Sequence, residues 1–204
     1  MMRVVFMGTP EFAVPSLEAL AAAGYTIAGV ITQPDRPVGR GHKLAPPPVK
    51  AKALELGLPV YQFERLRAQE GLDCLRALAP DVAVTAAFGQ ILSKKLLAVP
   101  KFGTVNVHAS LLPRHRGAAP INWAIIQGDA VTGVTTMLTD AGVDTGAMLL
   151  SRETPIGAEE TAGELTERLS LLGAQLLVET LGALNTLAPT PQDEARMTYD
   201  PMLD

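Results

Sequence analysis

Short apolar runs and longer periodic segments alternate along the chain. Residues 3–7 (Arg-Val-Val-Phe-Met) are apolar and β-branched up to Gly8, the pattern of a strand buried on both faces. A helix is predicted over 15–23, with Gly24 placed to end it, and a second strand over 25–32. Residues 33–48 hold five prolines and two glycines, too many for a regular element, so this stretch is expected to be a long loop. A helix over 49–56 closed by Gly57, a short strand over 59–62, a helix over 68–78 stopped by Pro80 and a strand over 81–85 follow. Ser93 can cap a short helix reaching Ala98.

Residues 104–108 read as a fifth strand, but with polar residues at alternate positions. Pro120 suits the first turn of a helix to about residue 127, and two strands are predicted over 133–139 and 148–154. A long helix is predicted over 161–184, where Thr161 and Glu164 have the spacing of a capping box. Beyond it periodicity fades and prolines return. Alternating strands and helices predict an α/β fold, Rossmann-like, with a mostly parallel twisted sheet and helices on both faces. Ligands of such folds bind beyond the C-terminal ends of the strands. That singles out the segments after Met7, after Thr85 and after Val107.

Composition narrows the class. Hydrophobic residues are 48% of the chain and charged residues 19%, which is globular, while aromatics at 4% leave the core to Ala, Val, Leu and Ile. The single cysteine, Cys74, has no internal partner, which favours a reducing compartment and a cytoplasmic location. No leader and no membrane-spanning run is legible. The net charge of −4 does not advertise nucleic acid, yet Arg36, Arg40, Lys43 and Lys50 crowd the proline-rich loop against Asp35 alone.

A first strand ending in glycine invites a dinucleotide reading. Thr9, Pro10 and Glu11 follow Gly8 in place of the Gly-rich fingerprint, and Pro10 has no N–H to offer a phosphate. No phosphate-binding lysine loop exists either. No His/Cys spacing marks a metal site.

Three segments carry the candidate chemistry. Asn106 and His108, two apart on a strand, project from one face. A proline- and glycine-bounded cationic segment follows at once, from Ser110 to Gly117. Asp144 lies between Gly142 and Gly146 in a sharply turned stretch. Taken singly these are a satisfied interior histidine, a solvated loop and an Asx turn. Taken together they supply two donors for a developing oxyanion and a carboxylate to orient the imidazole, which suits acyl transfer to an external amine.

The run Asn106-Val107-His108-Ala109-Ser110-Leu111-Leu112-Pro113, then Arg116-Gly117, then Asp144-Thr145-Gly146, resembles the signature of the formyltransferase superfamily that uses 10-formyltetrahydrofolate. Within it, Phe6-Met7-Gly8-Thr9-Pro10 and the run from Thr32 to Gly41 resemble the methionyl-tRNA formyltransferase family, and the resemblance extends over essentially the whole chain. It implies a catalytic trio of Asn106, His108 and Asp144. It further implies a folate site of Phe88, Gly89, Gln90, Ile91, Ser110, Leu111, Leu112, Pro113, Ala141, Gly142 and Val143. It assigns Arg36, Arg40, His42 and Lys43 to contact with initiator methionyl-tRNA, and it implies no metal and a monomer. His115 departs from the pattern, since an aromatic residue, often tryptophan, is common there. On this resemblance residues 1–188 are the catalytic domain, and 189–204 begin a linker to a C-terminal domain absent from the chain. The same trio and folate would serve a formyltransferase acting on an amino sugar nucleotide, and a domain that binds folate or RNA without catalysis is the other alternative.

Overall fold

The computed structural model describes Met1–Leu203, and the chain divides into two compact units, Met1–Thr104 and Val105–Asp204. The fold class is the Rossmann-like α/β one that the pattern predicts, its sheet mostly parallel.

The first unit carries the parallel strands. It runs β1 (Arg3–Gly8), α1 (Val14–Ala22), β2 (Thr26–Thr32), β3 (Arg36–Val38), β4 (Lys43–Ala45), α2 (Pro48–Glu55), β5 (Val60–Gln62), α3 (Gln69–Leu78), β6 (Val82–Ala86) and α4 (Lys94–Leu97). β6, β1, β2 and β5 lie in that order, every pair parallel. Burial explains the apolar runs: Val4 to Gly8 and all of β6 are buried. The period-two alternation of a strand sends Val5 and Met7 to one face, where they join Leu72, Leu75 and Leu78 of α3 and Leu96 of α4. α3 ends as the sequence predicts, with Ala79 in a left-handed conformation just before Pro80. Ser93 caps α4 through the N–H of Leu96.

The stretch predicted as a loop without regular structure holds a small antiparallel hairpin, β3 with β4. Pro37 pairs with Leu44, flanked by the pairs Arg36 with Ala45 and Val38 with Lys43. Antiparallel pairs alternate between hydrogen-bonded and open positions, so one proline in a two-stranded ribbon can sit where no N–H is needed. The hairpin is anchored at its base. Lys50 Nζ donates to both oxygens of Asp35 at 2.9 and 3.0 Å, and Gln62 Nε2 donates to Asp35 at 2.7 Å. These hydrogen bonds, from Gln62 first and Lys50 second, hold the Asp35 carboxyl below its usual range.

The second unit begins within β7 (Thr104–His108) and continues with β8 (Arg116–Gly117), α5 (Pro120–Ile126), β9 (Val131–Leu138), β10 (Met148–Pro155), α6 (Ala162–Gly182) and β11 (Tyr199–Asp200). β9 lies between β7 and β10 and pairs antiparallel with both. α6 covers β9 and β10 with Leu165, Leu169, Leu176, Leu177 and Leu181, and its N-terminus has the predicted capping box in full. The aperiodic end of the chain is tied down: Thr190 bridges Met148, and β11 pairs in parallel with β8. No helix of the described residues is long and apolar enough to cross a membrane.

Candidate active site

β7 delivers the first two site residues. In register, Asn106 lies opposite Met137 and His108 opposite Thr135, so β9 fixes both along the strand. Alternation places Asn106 and His108 on one face and turns Val107 to the other, against Gly173 of α6. Asn106 is half-buried and His108 is buried.

The imidazole of His108 is oriented from both ends. Nε2 lies 2.8 Å from the carbonyl oxygen of His115. A carbonyl only accepts, so the hydrogen of this bond sits on Nε2. Nδ1 faces Asp144, 3.7 Å from Oδ1, which is ion-pair range but too long for a hydrogen bond. The other oxygen of Asp144 accepts the N–H of Gly117 at 2.9 Å. One carboxylate oxygen is thus anchored to the backbone and the other is left toward the histidine.

Asp144 reaches this place on a tightly held turn. It adopts φ +52, in the left-handed region. Asp140 Oδ1 accepts the N–H of Gly142 at 3.0 Å and the hydroxyl of Thr145 at 2.6 Å, closing an Asx turn. Gly146 passes so near β9 that a Cβ there would stand 1.6 Å from the Leu138 carbonyl oxygen, so only glycine fits. Gln192 clamps the turn from outside, its Nε2 donating at 2.8 Å to the carbonyls of both Asp144 and Gly146.

The segment after His108 is built as firmly. Thr135 Oγ1 donates to the Ser110 carbonyl at 2.7 Å and accepts from the N–H of Leu112 at 3.2 Å. The Ser110 hydroxyl donates to the Arg114 carbonyl at 2.7 Å. Ser110, Leu112 and Pro113 are buried and Leu111 is half-buried, so this segment supplies walls. Its two arginines are not free cations. Arg116 is buried and bonds Glu194 with Nη1 and Nη2, at 3.0 and 2.7 Å, and Gln192 with Nε. Glu194 pushes the Arg116 guanidinium further up, and Arg116 draws the Glu194 carboxyl down. Arg114 is exposed and pairs with Asp129 at 3.0 Å.

Of the remaining residues expected at the site, Ala141, Gly142 and Val143 are exposed on the Asp144 turn. Phe88, Gly89, Gln90 and Ile91 lie in the first unit, after β6. Phe88 is buried and its carbonyl accepts from Thr9 Oγ1 and Gln33 Nε2, both at 3.1 Å. Gln90 bridges Leu66 and Phe63, while Gly89 and Ile91 are exposed. Arg36, Arg40, His42 and Lys43 are exposed on the β3–β4 hairpin. Arg36 is paired with Glu64 at 2.7 Å, and among the described residues Arg40, His42 and Lys43 make no ion pair. Likewise no set of three His, Cys, Asp or Glu side chains among the described residues is placed to hold a metal ion.

Sequence reasoning missed Gln192, Asp129, Thr198 and Asp200, which brace the site from 14 to 85 positions away. No local pattern marks them. Only the resemblance over essentially the whole chain takes in these positions.

A match to the formyl transferase family covers residues 2–181. A methionyl-tRNA formyltransferase of Citrifermentans bemidjiense is 56% identical over 204 residues, 99% of this chain and 64% of that protein. One of Ruminiclostridium cellulolyticum is 54% identical over 204 residues, 99% of this chain and 65% of that protein. The chain therefore spans just under two thirds of the length of these curated relatives. Among solved structures, glycinamide ribonucleotide transformylase 1 of Symbiobacterium toebii matches with a TM-score of 0.77 over 95% of each chain, at 20% identity, a likeness of fold. Because the family match covers residues 2–181, from β1 to the last turn of α6 and with Asn106, His108 and Asp144 inside it, this chain belongs to the formyl transferase family.

Proposed function

We propose that this chain transfers the formyl group of 10-formyltetrahydrofolate to the α-amino group of initiator methionyl-tRNA. The observation that carries this reading is the pairing of His108 Nδ1 with Asp144 Oδ1 at 3.7 Å, with Nε2 and Oδ2 both anchored to backbone. The relatives that are 54–56% identical over the matched 204 residues are named for that reaction, and those names support this choice of substrates.

The chemistry then follows from the side chains. The amine nitrogen attacks the formyl carbon, a C–N bond forms, and negative charge builds on the formyl oxygen. The Asn106 amide donates to that oxygen, and so does Nδ1 of His108 when the ring is in its protonated form and carries a hydrogen on both nitrogens; such donors act most strongly where they are fixed in advance. With Nε2 held by a carbonyl, His108 acts through Nδ1. Asp144 keeps the ring in register and, through a water, takes the proton that the attacking nitrogen sheds. The same proton count returns one hydrogen to the folate nitrogen as its bond to the formyl carbon breaks. No covalent enzyme intermediate is required. The exposed main chain of Ala141, Gly142 and Val143 is the second unit's surface for the donor, and Leu111, Leu112 and Pro113 supply apolar wall. Arg40, His42 and Lys43 are the cations for the tRNA backbone, which phosphate contacts dominate energetically. Of the stretch expected to begin a linker, Gln192, Thr198 and Asp200 bond to the site itself.

The test is formyl transfer from 10-formyltetrahydrofolate, offered methionyl-tRNA and an amino sugar nucleotide side by side. Formylmethionyl-tRNA as the preferred product supports the reading. Preferred formylation of the sugar nucleotide, or binding of folate with no transfer to either, overturns it.

A further inference from the structure

The formyl-transfer chemistry leaves one buried ionisable cluster unused, and it is centred on His115. The ring is buried, with Nδ1 2.5 Å from Asp200 Oδ2 and Nε2 2.7 Å from Asp129 Oδ2. The facing carboxylates are themselves largely enclosed, their side chains 3% and 13% exposed. A neutral imidazole carries one N–H, so two such contacts hold two protons among three groups. Arg114 Nη2 completes the cluster, 3.0 and 3.2 Å from the two oxygens of Asp129. Desolvating this many ionisable groups is costly, and an apolar ring could fill the same space, so packing alone does not account for it.

The backbone of His115 shows what the cluster achieves. Its φ is +58, a left-handed conformation that a residue with a side chain enters only when its surroundings impose it. Its N–H donates to Thr198 Oγ1 at 2.7 Å. With the ring gripped on both edges and the N–H held, the carbonyl has one direction left, and it points at Nε2 of His108, 2.8 Å away. Immediately beyond, Gly117 N–H holds Asp144. Gly117 has φ +113, and a Cβ there would lie 2.2 Å from the Asp200 carbonyl oxygen, so β11 presses directly on this strand.

We propose that His115, gripped by Asp129 and Asp200, is a positioning residue for His108. The grip holds the His115 carbonyl on Nε2, fixes the ring hydrogen there, and so makes Nδ1 the nitrogen that faces Asp144. The proposal rests on the reading above that His108 acts at the reacting carbon. It gives the aperiodic end of the chain a function: Thr198 and Asp200 are part of the machinery that sets the geometry of His108.

The chain has three histidines, so its imidazole nitrogen spectrum is small enough to assign. In the full chain, labelled with nitrogen-15, His108 should show the pattern of a ring protonated at Nε2, with that hydrogen in a hydrogen bond. A His108 ring carrying its hydrogen on Nδ1 alone overturns the proposal at once. Asp200→Asn should shift the His108 nitrogens toward averaging between tautomers. It should lower kcat about tenfold, as small misplacements of a reacting group do, with KM for methionyl-tRNA and for the folate within about twofold. A folded Asp200→Asn chain with native His108 resonances and native kcat overturns the proposal. Should Asp200→Asn fail to fold, Thr198→Val is near-isosteric, removes only the acceptor of the His115 N–H, and is judged by the same two readouts. A chain that forms no formylmethionyl-tRNA sinks the functional reading, whereas the His108 spectrum still decides the positioning.

Discussion

The two units bury their polar groups in different ways. In the first, the buried polar side chains are hydroxyls: Ser16, Thr32, Thr85 and Thr104. Its charges pair at the surface, Arg36 with Glu64, Lys50 with Asp35, and Lys52 with Glu18 and Glu55. Exposed pairs of this kind add little to stability. The second unit buries His108, His115, Arg116, Gln192 and Asp200 as well as hydroxyls, and the last four are each bonded to a group between 46 and 85 positions away. Breaking such a network strands a desolvated charge, which costs far more than losing a surface pair. Both units have apolar cores, and the second adds buried polar connections that hold the groups proposed to react.

Two substitutions should break that comparison apart most sharply. Leu75→Ala, in α3 of the first unit, leaves a cavity at a side chain that is 1% exposed and should cost about 2–5 kcal/mol of stability. The folded fraction should retain kcat. His108→Ala should behave in the opposite way, lowering kcat by about a hundredfold or more, the scale for one lost oxyanion donor, while folate binding is little changed. Thermal melts and steady-state kinetics on both variants check this. A His108→Ala chain with near-normal turnover would show the histidine to be structural, and the distinction between the units would collapse.

The acid response should separate the units next. Burial alone would push the Asp129 carboxyl up, but hydrogen bonds from His115 and Arg114 outweigh it and leave the group below its ordinary 3.8. A carboxyl depressed by folding stabilises the fold when ionised. That contribution is complete above the ordinary value and is lost as pH falls through the lower, folded one. Asp129→Asn should therefore destabilise the chain at neutral pH by about 1–3 kcal/mol and flatten the acid limb of its stability curve. In the first unit, the bonds of Asp35 to Gln62 and Lys50 depress its carboxyl as well, but at a more open site, its side chain 33% exposed against 13% for Asp129. Asp35→Asn should change the curve much less. Urea unfolding across pH 3–7 measures both, and equal slopes for the two variants would contradict the contrast.

The same contrast explains what could be read from sequence. β1, β2, β6 and α3 are legible because hydrophobic burial repeats with the period of the element, and α6 because Thr161 and Glu164 mark its first turn. Asn106 and His108 are legible for the same local reason: a spacing of two on a strand sets a common face. Asp144 was found from the glycines around it. What escaped was pairing between aperiodic segments. The β3–β4 hairpin hides under its prolines, and β8 with β11 joins two-residue strands more than 80 positions apart. His115 drew notice as a departure from the family pattern, but its partners Asp129 and Asp200 carry no periodic signal. A site's reactive groups can sit within a few residues of each other while the groups that aim them come from the far end of the chain.

The smallest expected effect sharpens the comparison from the first unit's side. If that unit serves substrate capture, its chemistry should appear in binding and not in turnover. Arg40 is suited to report this. It is exposed on the β3–β4 hairpin and makes no ion pair among the described residues, whereas neighbouring Arg36 is engaged by Glu64 through two hydrogen bonds. A guanidinium with no internal partner gives up little to contact a phosphate. Arg40→Ala should raise KM for methionyl-tRNA a few-fold, leave kcat unchanged, and make the dependence of log affinity on log salt shallower by about 1, the slope carried by one phosphate contact. Arg36→Ala should do less, because Glu64 already neutralises that side chain. Lys95→Ala, an exposed change on α4, is the control. Binding of methionyl-tRNA titrated across a salt series tests all three. A silent Arg40→Ala would remove the hairpin from the tRNA contact and shift weight to the sugar-nucleotide reading. A fall in kcat with KM unchanged would assign Arg40 to the reaction and erase the division of labour between the two units.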